Sequence, residues 1–196
     1  MFQQPPVRIG VDASSDTKYV AVVVGWQADI DQLHRTICAR LGLTAIHMRE
    51  LAAKARKAVI EEICLADPSR QSIRMHCFTV EKQSHLKLVL RKKPEYGATH
   101  RLYDSVDYCI GIEVTRAVYD SLLFFEVHWS EISTEVDDDT ERILKQAGMA
   151  VKPVGPAHQL ADAVAWSNHK SISLPNLQHA DLESRIGSRL RKRLKL

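Results

Sequence analysis

At 196 residues the chain is long enough for one substantial core and short for two, and 45% hydrophobic against 26% charged residues excludes a disordered chain. The longest apolar runs, Tyr19 to Trp26 and Leu122 to Phe125 with Val127, fall well short of the ~20 residues of a spanning helix. Residues 1 to 6 offer neither a basic region nor an apolar stretch, so no membrane span and no secretory signal is expected, and a cytoplasmic location is. The net charge of +3 conceals an asymmetry: residues 184 to 196 carry six bases and no acid, leaving 21 bases against 24 acids, a net −3, in the rest. Such a split suits an acidic site served by a separate basic contact to a polyanion. Four cysteines, Cys38, Cys64, Cys77 and Cys109, show no C-x-x-C spacing and read as reduced core residues rather than zinc ligands or disulfides.

In chain order, Val7 to Val11 and Lys18 to Trp26 read as two strands joined by a polar hairpin turn from Asp12 to Thr17. Ile30, Leu33, Ile37 and Leu41 predict a helix over 28–41 that Gly42 ends. Met48, Leu51, Ala52, Ala55, Val59 and Ile63 predict a second helix over 48–63, stopped by Asp67-Pro68. Alternation over 72–80 predicts a strand, and 86–90 another. Residues 102–122 fit either period, and the helix is preferred. A buried strand at 122–129, a helix from Asp139 or Thr140 to Gln146 and a strand at 150–154 follow. The last predicted helix runs from His158 to His169. A mixed sheet flanked by helices results, a single α/β domain over 1–170. Residues 171–196 read as a polar loop and basic tail. A short helix in that tail would place Ile186, Leu190, Leu194 and Leu196 on roughly one side, to dock on the body or on a neighbouring subunit.

Three segments carry chemistry. Asp12 directly follows the apolar Val7-Arg8-Ile9-Gly10-Val11, where a turn aspartate is the plainer alternative. Glu50 lies in Met48-Arg49-Glu50-Leu51-Ala52-Ala53, where it also reads as a solvated helix residue. Asp162 lies in Ala157-His158-Gln159-Leu160-Ala161-Asp162-Ala163-Val164-Ala165-Trp166, among apolar neighbours that make an unpartnered charge costly. His158, four residues earlier, projects from the same helical face. For a carboxylate at the end of the expected central strand, Glu131 is nearer that end, whereas the trio Asp137, Asp138 and Asp139 lies well beyond Trp129 and precedes a helix; Asp137 is preferred, although the trio also suits the N-terminal end of a helix dipole.

Together these segments resemble the RNase H-like superfamily of nucleases and resolvases, including its uncharacterised families. The first is similar to the first-strand motif, the second to the first-helix glutamate motif, and the third to a closing Q-x-A-D-x-x-A helix. The resemblance implies an RNase H-like mixed sheet and a metal-dependent nuclease acting on DNA or RNA. Asp12, Glu50, Asp137 and Asp162 would hold Mg²⁺ or Mn²⁺, and His158 would pass a proton to the leaving group. Two departures are visible: a helix at 28–41 replaces the third hairpin strand, and Ala45-Ile46-His47 lacks the glutamate that related families place two residues before a histidine. Arg185, Arg189, Arg191, Lys192, Arg193 and Lys195 are the expected nucleic-acid contacts, and association with a second copy is left open. The alternatives are a catalytically degenerate nucleic-acid-binding or assembly module on the same fold, and a sugar-kinase-like phosphotransferase suggested loosely by Asp12 to Lys18. The second lacks a glycine-rich phosphate loop and room for a second lobe.

Overall fold

Valines at alternate positions build the centre of the sheet. In the computed structural model, which describes residues 6–14, 17–66, 72–97, 99–122, 125, 132–175 and 177–196, strands β1 (Val7–Ala13) and β2 (Tyr19–Trp26) pair antiparallel with Val11 opposite Val22. Strand β3 (Ile73–Thr79) continues the antiparallel run beside β2. Strand β4 (Ile132–Glu135) lies parallel to β1 on its other side, and β5 (Leu177–Asp181) lies parallel to β3, giving the order β4-β1-β2-β3-β5. The fold is a single α/β domain with a mixed five-stranded sheet flanked by helices, compatible with the expected RNase H-like arrangement.

Because successive strand side chains point to opposite faces, the sheet separates two cores. Val7, Ile9, Val11, Val20, Val22, Val24 and Phe78 face one of them. It is closed by helices α3 (Lys82–Lys92), α4 (His100–Leu122), α5 (Asp138–Gln146) and α7 (Glu183–Leu194). Ala21, Val23, Ile73 and Met75 face the other, under α1 (Gln27–Leu41), α2 (Ala53–Ala66) and α6 (Pro156–His169). Helix α1 buries Ile30, Leu33 and Ile37 and ends where Gly42, at φ 64°, adopts the left-handed conformation and donates its N–H to the Cys38 carbonyl. Helix α6 opens on Pro156, a residue suited to a first helical position. It presents Ala157, Ala161 and Ala165 among its buried residues. These small side chains let α6 lie so close to the sheet that a Cβ at Gly10 would run into the Ala157 carbonyl.

Several expectations are corrected. The second helix begins at Ala53, not 48, because the backbone N–H groups of Ile46 and Met48 are taken by side chains of α6: Gln159 Oε1 and Asp162 Oδ2, each at 2.7 Å. The segment expected as a strand at 86–90 is inside α3, whose buried stripe is Lys82, His85, Leu86 and Val89. Residues 102–122 are helical, as preferred. The strand expected at 122–129 lies mostly outside the described residues; Leu122 ends α4, and β4 occupies 132–135. The strand at 150–154 reduces to one parallel bridge between Lys152 and Glu135. Cys77 and Cys109 are buried, but Cys64 is exposed; all four cysteines are free thiols.

From residue 177 the chain forms β5 and α7 instead of a loop and tail. Ile186 and Leu190 are fully buried in the core shared with α4. Leu190→Ala is therefore expected to lower stability by roughly 2–5 kcal/mol, the ordinary cost of truncating a fully buried leucine. Denaturant unfolding checks it, and a loss below 1 kcal/mol would show that α7 is only loosely attached. No helix among the described residues is long and apolar enough to cross a membrane.

Candidate metal centre

The parallel register of β1 and β4 sets Gly10 opposite Glu135. Two residues further on, Asp12 and Asp137 emerge at the same end of the sheet. Asp137 caps α5, its Oδ1 accepting the Thr140 N–H at 2.8 Å. Helix α6 crosses this end of the sheet and brings His158 to Asp12, with Nε2 3.3 Å from Oδ1. One ligand atom from each of Asp12, Asp137 and His158 lies within 4.8 Å of the others. The cluster is capable of coordinating a divalent metal, with Asp12 and His158 buried and Asp137 partly so.

Glu135 fixes the position of α6. Its carboxylate accepts the Ala157 N–H at 2.8 Å and the His158 N–H at 3.3 Å, two of the donors that a helix start leaves unpaired. Arg8 pairs with Glu135 at 3.0 Å and with Asp31 of α1 at 3.3 Å. A Cβ at Gly155 would press on the Glu135 carboxylate. Neither Glu135 nor Arg8 was among the residues expected from the sequence. The available signal is a charged residue two positions before Asp137, at the end of a strand that periodicity does not locate.

Electrostatics follow from burial. Taking Asp12 out of water raises its pKa to about 6; the contact with His158 opposes this, while the negative charges of Asp162 and Asp137 add to it. For His158, burial favours the neutral ring, but the hydrogen bonding and charge of Asp12, with Asp137 and Asp162 behind, outweigh it and raise the pKa. Burial also raises Asp162, against the hydrogen bond from Met48. The carboxylates thus repel one another, and His158 offsets only part of that repulsion. A cation fits the donors present: two carboxylate oxygens and an imidazole nitrogen already converge, and His158 Nδ1 has no hydrogen-bond partner among the described residues. Oxygen donors suit Mg²⁺ and Mn²⁺, and the imidazole nitrogen favours Mn²⁺ of the two.

The other expected site residues are placed as follows. Asp162 and Glu50 border the same 860 Å³ cleft as Asp12, Asp137 and His158, but stand outside the three-residue cluster. Asp162 is half-buried and anchors the Met48 backbone. Glu50 is exposed in a turn, not on the expected helix. Glu131 lies outside the described residues. None of the six bases at the C-terminal end borders the cleft. Five of them belong to α7, on the sheet face opposite α6, and Lys195 follows its last residue. Arg189 bonds Glu113 of α4 through Nε at 2.9 Å, and Arg193 lies over the Tyr108 ring at 4.2 Å, so two of the six are engaged within the fold. Compared with protein-family models, with curated proteins and with solved structures, the chain has no match.

Proposed function

We propose that the protein is a metal-dependent nuclease that hydrolyses phosphodiester bonds of nucleic acid at the Asp12 cluster. The observation that carries the reading is the convergence of Asp12, Asp137 and His158 at one end of the sheet, from β1, the start of α5 and the start of α6. Two carboxylates brought together at a partly buried site, with one pKa raised to about 6, are the kind of cluster that functional sites assemble. A divalent cation bound there would supply Lewis-acid polarisation of a phosphoryl oxygen and an activated water at neutral pH. Asp12 and Asp137 would hold it through carboxylate oxygens. His158, expected from the resemblance to carry a proton, has Nε2 facing Asp12 and would serve as a third donor, with its backbone N–H held by Glu135.

Asp162 and Glu50 extend the negative lining of the cleft. They suit the recruitment of a second cation or of hydrated metal when substrate enters. The reading predicts cleavage of single-stranded or duplex DNA or RNA with Mn²⁺, less with Mg²⁺, and none in excess EDTA. Activity that persists in EDTA, or that remains intact in Asp137→Asn, would contradict it. Metal-bound protein that retains nucleic acid but never cuts it would favour the degenerate binding module instead.

A further inference from the structure

The cleft holds cations and an aromatic ring that the metal centre leaves unused, and they divide between the two helical layers. On the layer of α3, α4 and α5, Lys82 is buried at the start of α3, and its ammonium pairs with Asp107 of α4 at 2.6 Å. Arg142 of α5 takes the other Asp107 oxygen at 3.0 Å. Asp107 is fully buried, yet the Arg142 side chain is 53% exposed. One carboxylate between two cations leaves an unbalanced positive charge, and both Lys82 and Arg142 border the cleft. A second cation is more than Asp107 needs for neutrality, whereas an anion in the cleft would balance it.

On the layer of α2 and α6, Trp166 borders the same cleft one helical turn beyond Asp162. Arg56 lies over its ring, 5.9 Å from the centroid, and is steadied by a 3.0 Å bond from Nη2 to the Arg49 carbonyl. Asp12 ends a strand of the sheet that separates these two layers. The cleft therefore has a positive wall on one layer, carboxylates at the sheet edge and a half-buried indole with an arginine on the other.

We propose that this cleft binds single-stranded nucleic acid, with one phosphate against Lys82 and Arg142 and an unpaired base stacked against the pair formed by Trp166 and the Arg56 guanidinium, so that the intervening backbone crosses Asp12. The inference rests on the nuclease reading and names its substrate. A ring inside a cleft can stack only on a base whose face is free, and a strand offers such faces where an intact duplex does not. The 860 Å³ of the cleft falls in the range that encloses a small organic molecule. That is room for a few nucleotides of a flexible strand lying within it.

The experiment measures anisotropy of a short fluorescein-labelled oligothymidylate, and of a labelled duplex of equal length, with the full chain in EDTA across a series of salt concentrations. The single strand should bind roughly tenfold more tightly than the duplex. Trp166→Ala should weaken strand binding roughly tenfold, as loss of one stacked base does, while Trp166→Phe restores most of it. Arg142→Gln, a change at an exposed side chain, should weaken binding and lower the salt slope by about 0.7, one single-strand phosphate. Far-ultraviolet circular dichroism of each variant keeps folding separate. Equal or tighter duplex binding, no binding of the strand by the parent, or unchanged affinity in both Trp166→Ala and Arg142→Gln overturns the inference. Cleavage is read separately: strand binding as described without Mn²⁺-dependent cutting removes the nuclease reading alone. Mn²⁺-dependent cutting with both variants binding like the parent removes this inference alone.

Discussion

Asp12→Asn is expected to lose Mn²⁺ binding and nucleic-acid cleavage together, with activity down by at least about a thousandfold, and yet to melt higher than the parent in EDTA. The loss follows from chemistry: an amide is a poorer, uncharged donor, and the remaining Asp137 and His158 make an incomplete site. The gain in stability follows from linkage. In the unfolded chain Asp12 loses its proton near 3.8; in the folded chain it keeps the proton up to about 6. Between those values the native state binds more protons, so unfolding free energy falls as pH rises. His158, whose pKa is also raised, acts in the same direction, its contribution being lost as pH rises through its folded value. The Asp12 shift corresponds to about 3 kcal/mol, part of which Asn would recover at neutral pH. Thermal melts of parent and variant from pH 4 to pH 8 in EDTA test it: the difference should open between pH 4 and 6 in favour of the variant. Metal reverses the sign for the parent, because binding requires the carboxylate forms and a neutral imidazole. A variant that melts lower at every pH would make Asp12 a structural residue.

Gly10→Ala is expected to be among the most damaging single-methyl additions in the chain, costing about 5 kcal/mol or preventing native folding. The added carbon would meet the backbone of Ala157 and His158, which no side-chain rotation can relieve. Helix α6 would have to lift from β1. That movement breaks the two hydrogen bonds from its start to Glu135 and withdraws His158 from Asp12. Denaturant unfolding measures the stability loss. In any fraction that folds, Mn²⁺ affinity should fall with it, although Gly10 offers no ligand. Near-parental stability would show that α6 has slack against the sheet.

How far the sequence was legible depends on whether a signal was local. The strands at 7–13 and 19–26 are marked by continuous apolar runs that the two cores bury on both faces, and the helix at 27–41 and the strand at 73–79 by apolar spacing along the segment itself. Helix α3 gives no clear helical signal because two of its buried positions are Lys82 and His85, which no hydrophobic count registers; their partners, Asp107 and Glu183, are distant in sequence. The start of α2 is not legible locally, because Met48 and Leu51 keep helical spacing while α6 captures the backbone N–H groups of Ile46 and Met48 from over a hundred residues away. Asp137 looked remote from the sheet only because the fourth strand was expected too early; β4 at 132–135 brings it beside Asp12. Glu50 was read from a motif that presumed a helix, and without that helix it stays exposed. Of the C-terminal segment, the spacing of Ile186 and Leu190 was legible as one side of a helix, but the strand before it was not: β5 is exposed over Gln178 to Asp181 and shows no buried alternation.

Cleavage at this site requires a cation between Asp12, Asp137 and His158. The direct measurement is anomalous diffraction at the manganese edge from crystals of the full chain soaked in Mn²⁺. The predicted result is a peak within bonding distance of an Asp12 oxygen, an Asp137 oxygen and His158 Nε2, absent from Asp12→Asn crystals treated alike. Manganese elsewhere in the cleft, or no peak at a concentration that saturates cleavage, would contradict the account.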